Sequence, residues 1–213
     1  MRAFDGSFIK DLLVRMAIVC SLLVSTPVLS QTNDERPVIL AVGESTTAGY
    51  GVPADQSYPA QLQRILDDHG YEYRVVNHGK SGSTVAMALT SLDRGLRLGP
   101  QIVLIAIGGN DAGNRVAVER TEQNLRKLVG TFVLAGATVY LADRTASEDR
   151  ADSDVSLFAK VAKEEGAMLM PSLRQGLAGN PALLISDMSH PNADGYAIVS
   201  RRIFDLLQPQ LVK

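Results

Sequence analysis

A three-layer α/β/α sandwich around a mostly parallel five-stranded sheet is the fold this sequence predicts, on three observations. From Pro37 onward, short apolar runs alternate with segments of helical periodicity, the pattern of strands joined by crossover helices. The clearest run, Ile102-Val103-Leu104-Ile105-Ala106-Ile107, is apolar throughout, as a strand buried on both faces must be. The 213-residue chain shows no internal repeat or low-complexity tract, and it is long enough for one domain with a proper core.

The elements follow in order. Val38–Val42, bounded by Pro37 and Gly43, reads as the first buried strand. Tyr58–Asp68 reads as a helix, with Pro59 in its first turn, Leu62, Ile65 and Leu66 on one face, and a stop at His69-Gly70. Tyr73–Asn77 is the second strand, and Val85–Leu98 a helix that Gly99-Pro100 ends. Ile102–Ile107 is the third strand. Val116–Leu134 places Leu125, Leu128, Val129 and Phe132 in helical register. Thr138–Leu141 is the fourth strand, Val155–Glu165 a helix, Met168–Met170 the fifth strand, and Ala193–Leu207 a closing amphipathic helix.

Residues 1–30 differ from the rest. Arg2, Lys10 and Arg15 precede an apolar run from Met16 to Val24, and Val28-Leu29-Ser30 offers small residues for cleavage. That is the pattern of a signal peptide, followed by a linker over 31–37 and a domain over 38–213; the apolar run is shorter than the roughly 20 residues of a spanning helix. An uncleaved N-terminal anchor is the alternative. Export to a bacterial periplasm or to the medium is therefore expected. Cleavage after Ser30 removes Cys20, the only cysteine, and with it any disulfide or cysteine-based metal site. Cys20 lacks the small preceding residue of a lipoprotein site. The net charge of −2 becomes about −3, because three basic and two acidic residues leave with the signal. Nothing in that balance suggests nucleic acid or an anionic membrane as a partner. Oligomeric state is open.

Chemistry concentrates in the turns that follow the strands: Gly43-Glu44-Ser45, then Asn77-His78-Gly79-Lys80-Ser81-Gly82-Ser83-Thr84, then Gly108-Gly109-Asn110-Asp111. In a parallel sheet such turns converge on one edge, where open α/β sheets bind ligands. Phosphate-loop explanations fail on spacing. Gly79-Lys80-Ser81 matches the end of a P-loop but Arg74 occupies its first glycine, and Asn110 replaces the second glycine of a dinucleotide turn. Ser45 lacks the second glycine of a G-x-S-x-G elbow, Thr47 standing there, and no histidine cluster suits a metal. No cofactor is expected. Ser45 is then either an N-cap or a nucleophile in need of a base.

Three histidines are available. His69 ends a helix, where a cation suits the dipole, and is most simply a surface residue. His78 lies in the second turn without a carboxylate nearby in sequence. His190 follows Asp187 by three residues, so that the carboxylate can reach back to one ring nitrogen and leave the other for a serine hydroxyl. The alternative is that Asp187 and His190 only cap the turn before a helix.

These blocks, Gly43-Glu44-Ser45 with Ala48-Gly49-Tyr50-Gly51, Val76-Asn77 through Ser81-Gly82, Gly108-Gly109-Asn110-Asp111, and Asp187-x-x-His190-Pro191-Asn192, fall in the order seen in the SGNH (GDSL) hydrolases. The sequence resembles that family, most of all its bacterial arylesterase and lysophospholipase/thioesterase branch, from Val38 to about Leu207. The resemblance implies a flavodoxin-like fold and a serine esterase working through an acyl-enzyme. By the same resemblance Ser45 is the nucleophile, His190 the general base and Asp187 its orienting partner. The backbone N–H groups of Ser45 and Gly82 and the side-chain amide of Asn110 form the oxyanion hole, where one fixed donor is worth roughly 3–4 kcal/mol. Asp111 is expected to hold Asn110.

Two positions depart from the family. Glu44 stands where the family has Asp, and a longer carboxylate buttressing the turn would shift the serine. The segment 143–154 carries seven charges (Asp143, Arg144, Glu148, Asp149, Arg150, Asp152, Asp154) and reads as a solvated loop where relatives cover an acyl chain. The expected substrate is an acyl ester, thioester or lysophospholipid. A carbohydrate O-acetylesterase and a catalytically silent binding protein on the same fold are the alternatives.

Overall fold

The computed structural model describes residues 34–144 and 156–213, of which Arg36 onward belong to one compact unit. The sheet is built outward from β1 (Val38–Gly43), whose six residues are all buried. β1 pairs on one side with β2 (Arg74–Gly79), Val38 opposite Arg74 and Gly43 opposite Gly79. On the other side it pairs with β3 (Pro100–Ala106), with a register shift between Val38 and Ile39. β4 (Thr138–Ala142) and β5 (Met168–Met170) complete the order β2-β1-β3-β4-β5. All four pairings are parallel, so the expected mostly parallel sheet is wholly so. The strand order reverses direction at β1, which makes its C-terminal end the crevice of the sheet.

Alternate residues of the buried strands feed two cores. Ile39, Ala41, Ile102, Leu104 and Tyr140 pack against α2 (Tyr58–Asp68) and α8 (Ala193–Leu207) through Leu62, Leu66, Tyr196, Ile203 and Phe204. Val38, Leu40, Val42, Val103, Ile105 and Leu141 face α6 (Val118–Leu134) and α7 (Leu157–Glu165) through Leu125, Leu128, Phe132 and Val161. Each fully buried aliphatic or Phe side chain contributes roughly 1.5–3 kcal/mol. Two apolar faces on one sheet account for the three layers.

The helices differ from the sequence-based expectation in three ways. The helix predicted over Val85–Leu98 is two short ones, α3 (Val85–Leu89) and α4 (Leu92–Leu96). At the break, the Thr90 and Ser91 hydroxyls donate to the carbonyls of Met87 (2.7 Å) and Ala88 (3.0 Å), offering the backbone a turn in place of a continuous helix. α6 begins at Val118, not Val116, because Ala117 is extended at φ −55° and ψ 136°. Two turns fold into short helices of their own, α1 (Ser45–Ala48) and α5 (Gly109–Gly113). The signal peptide, residues 31–33 of the linker, and the predicted start of α7 at Val155 lie outside the described residues. Among the described residues no helix is long and apolar enough to cross a membrane.

Candidate active site

Ser45 is the first residue of α1, directly off the buried end of β1. The capping position is Glu44, and its side chain makes no cap bond. Ser45 is therefore not an N-cap, and its Oγ lies 2.8 Å from His190 Nε2. Being first in the helix, its own N–H precedes the first intrahelical bond, which runs from the Ala48 N–H to the Glu44 carbonyl at 2.9 Å. α1 is clamped to β2: Asn77 Nδ2 donates to the Thr47 carbonyl at 2.9 Å while its Oδ1 accepts from the Gly79 N–H at 2.8 Å. Gly79 must be glycine there, since a Cβ would sit 2.5 Å from the Thr47 carbonyl carbon.

His190 comes from a turn closed by one antiparallel bridge between Leu184 and Pro191. The Ile185 N–H donates to the His190 carbonyl and the Asn192 N–H to that of Leu183, both at 2.9 Å. Within this turn Asp187 does both things weighed for it. Its Oδ1 accepts from the N–H groups of Ser189 (2.8 Å) and His190 (2.9 Å), and its Oδ2 lies 2.6 Å from His190 Nδ1. Those bonds, the His190 N–H first, then its ring and the Ser189 N–H, hold the Asp187 carboxyl down to about 2. A carboxylate at Nδ1 assigns the proton to that nitrogen and leaves Nε2 to accept from Ser45. Tyr50, which the sequence offered only as part of a block, lays its ring 4.7 Å from the imidazole. Its backbone is tied down by the Tyr196 hydroxyl, which donates to the Tyr50 carbonyl at 3.2 Å.

Gly82 takes a positive φ of +78° in the turn after β2, and nothing lies within 4 Å of where a side chain would be. Asn110 sits in α5, and its Nδ2 donates to Glu44 Oε2 at 2.6 Å and to the Ser83 carbonyl at 2.9 Å. The expectation that Asp111 holds Asn110 is corrected. Consecutive helical residues point away from each other. Asp111 is buried and its Oδ2 instead accepts from the Val85 N–H at 2.9 Å, tying the start of α3 to α5.

Glu44 does not buttress its own turn, and the serine is not drawn from the histidine. The carboxylate crosses to the next loop, accepting from the N–H groups of Gly109 (3.2 Å) and Asn110 (3.0 Å) besides the Asn110 amide. Arg144 Nη1 pairs with its Oε1 at 2.6 Å. That corrects the solvated reading of the segment 143–154 at one residue: Arg144 faces the site. Glu148 to Asp154 lie outside the described residues.

His78 lines a groove of about 390 Å³ with Asn77, Lys80, Ser83, Met87 and Arg94. Burial, then the Arg94 charge, push its imidazole below the ordinary histidine value. His69 is exposed at the end of α2, its Nδ1 2.8 Å from the Ile65 carbonyl, as a surface residue should be. A smaller apolar cavity of about 110 Å³, between β5 and α8, is lined by none of the site residues. Among the described residues no three His, Cys, Asp or Glu are grouped to hold a metal.

Residues 41–198 match the GDSL-like Lipase/Acylhydrolase family. The chain is 31% identical over 178 residues to Esterase TesA of Pseudomonas aeruginosa, covering 81% of this chain and 89% of the relative. It is 30% identical over 176 residues to the Thioesterase 1/protease 1/lysophospholipase L1 of Escherichia coli K12, covering 80% and 83%. The crystal structure of TesA superimposes with a TM-score of 0.73 at 31% identity, covering 82% of this chain and 99% of that one. With its wholly parallel sheet and its strand-end turns gathered at one edge, the chain belongs to the GDSL-like (SGNH) lipase/acylhydrolase family and is a carboxylic ester hydrolase.

Proposed function

We propose that this protein is an exported serine esterase that cleaves acyl esters through Ser45, His190 and Asp187. The observation that carries the reading is the unbroken chain from Ser45 Oγ to His190 Nε2 (2.8 Å) and from Nδ1 to Asp187 Oδ2 (2.6 Å). Ser45 Oγ attacks the ester carbonyl as His190 Nε2 takes its proton, and the carbonyl electron pair moves onto oxygen. The N–H groups of Ser45 and Gly82 and the Asn110 amide receive that charge. Both hydrogens of Asn110 Nδ2 already have acceptors, so the amide serves by giving up the Ser83 carbonyl, the neutral and longer of its two bonds. Collapse expels the alcohol, which takes the proton from His190, and leaves an acyl-enzyme. Water, deprotonated by His190, then releases the acid and restores Ser45. No cofactor or metal enters this scheme.

The substrate class is small-molecule acyl esters, thioesters or lysophospholipids. A carbohydrate O-acetylesterase is the second reading, favoured by the polar groove that Asn77, His78, Lys80, Ser83 and Arg94 line beside the site loops. Residues 1–30 act as a cleaved signal and 31–37 as a linker before the catalytic domain, 38–213; N-terminal sequencing of the exported protein checks both boundaries. Hydrolysis of p-nitrophenyl esters of increasing acyl length, by the wild type beside Ser45→Ala, tests the activity. Turnover lost in the variant supports Ser45 as nucleophile, and the length profile separates acetyl from longer acyl substrates. Equal measurable rates would remove Ser45 from the chemistry, and no turnover by either protein would bring back a silent binding protein.

A further inference from the structure

We propose that Arg144 is a positioning residue for the oxyanion loop: its guanidinium fixes the Glu44 carboxylate against Gly109 and Asn110 and offsets that carboxylate's charge where the oxyanion forms. The proposal rests on the roles given above to Ser45 and Asn110.

The two oxygens of Glu44 divide the work. Oε1 meets Arg144 Nη1 at 2.6 Å and the Gly109 N–H at 3.2 Å. Oε2 takes the backbone N–H of Asn110 at 3.0 Å and its amide at 2.6 Å. Both oxygens belong to one planar group, so anchoring Oε1 sets the direction in which Oε2 points. Asn110 is thereby aimed from a residue 66 positions earlier, which is itself aimed by Arg144.

Gly109 provides the seat. A Cβ at this position would overlap Arg144 Nη2 and lie 2.7 Å from both Arg144 Cζ and Glu44 Oε1. The guanidinium thus crosses the backbone of the loop it helps to hold, in a space that any side chain at 109 would take.

Electrostatics gives the pairing a second consequence. Glu44 is buried and its Oε2 bonds the amide that is to receive the oxyanion. A lone carboxylate so close would repel the charge that develops in the transition state, in surroundings that screen poorly. A guanidinium in contact turns the carboxylate into one half of a pair, and most of that repulsion is removed. The hydrogen bonds to Asn110 are kept.

The test is steady-state hydrolysis of a p-nitrophenyl ester, with a melting temperature for each variant, comparing wild type, Ser45→Ala, Arg144→Ala, Arg144→Lys, Gly109→Ala, Glu44→Gln and the Glu44→Gln/Arg144→Ala double variant. Arg144→Ala is expected to lower kcat about 10- to 100-fold with KM within about twofold, the signature of an interaction realised in the transition state. Arg144→Lys should fall between it and wild type, since a point charge replaces a planar fork. Gly109→Ala, whose Cβ displaces the guanidinium and also presses on Glu44 Oε1, should be at least as slow as Arg144→Ala. Because Arg144 acts through Glu44, the double variant should be no slower than Glu44→Gln alone. Losses that multiply in the double variant, a wild-type kcat in Arg144→Ala, or a change confined to KM would overturn the proposal. Should Arg144→Ala fail to fold, Arg144→Lys and Gly109→Ala carry the same comparison. If Ser45→Ala keeps wild-type activity, Ser45 is not the nucleophile and this proposal fails with that assignment, an outcome distinct from multiplying losses.

Discussion

Asp187 and Glu44 both place a carboxylate in the site, and they are held in opposite ways. Asp187 is a local device: its partners are the backbone of Ser189 and His190 and the His190 ring, two or three residues on, and its side chain is 37% exposed. Glu44 is 5% exposed, and its partners Gly109, Asn110 and Arg144 all come from distant loops. A locally held, solvated acid can be altered with little effect on the rest of the fold. A buried acid that joins three loops ties the chemistry to the packing. The difference separates a residue whose loss is felt mainly in kcat from one whose loss is felt in kcat and stability together.

That contrast can be broken in four ways, from the largest expected effect down. Asp187→Asn keeps the shape of the side chain but removes the charge that fixes the His190 tautomer, and kcat is expected to fall about 10³- to 10⁴-fold. The melting temperature should stay within a few degrees of wild type; a large drop would show that the turn, too, is a structural tie. Glu44→Gln is expected to cost about 10- to 100-fold in kcat. It should also cost about 1–3 kcal/mol in urea unfolding, since an amide cannot accept from all four donors. An unchanged urea midpoint would erase the distinction between the two acids.

The third concerns acid. The folded Asp187 carboxyl is held down to about 2, against about 3.9 in an unfolded chain. A depressed carboxyl contributes stability that is complete above the unfolded value and is lost as pH falls through the folded one. Wild type should therefore lose this contribution between about pH 4 and pH 2, and Asp187→Asn should show a flatter acid limb in the same window. The smallest effect belongs to Asn192. It caps α8 by accepting from the Gly195 N–H at 3.0 Å, and its Nδ2 donates to the Ala182 carbonyl at 2.8 Å. Asn192→Ala should cost about 1–2 kcal/mol of stability, with kcat changed less than in either acid variant.

The same contrast explains what could be read from the sequence. The strands and the helices Tyr58–Asp68 and Ala193–Leu207 were legible because their apolar spacing is a local property. So was the Asp187–His190 bond, which needs only a three-residue reach. The split between α3 and α4 was not, because it depends on two hydroxyls bonding back to carbonyls. Arg144 was hidden among seven charges, and only the closeness of the β4 turn to α5 distinguishes it. Asp111 invites pairing with its sequence neighbour, whereas its partner, the Val85 N–H, lies 26 positions away. Tyr50 over His190 joins loops 140 residues apart, and no local pattern could announce it.

The way the His190 turn is attached has a consequence for timing. Ser45 stands at the end of a strand paired on both sides and buried in every residue, so the amides of β1 should exchange with deuterium only when the whole domain opens. The turn that carries His190 hangs from a single bridge flanked by two backbone bonds, those of Ile185 and Asn192. Those two amides should exchange by local opening, far sooner. Each such opening takes the base from a nucleophile that has not moved. Early exchange at Ile185 and Asn192 beside a protected β1 would show the base leaving a nucleophile that stays in place.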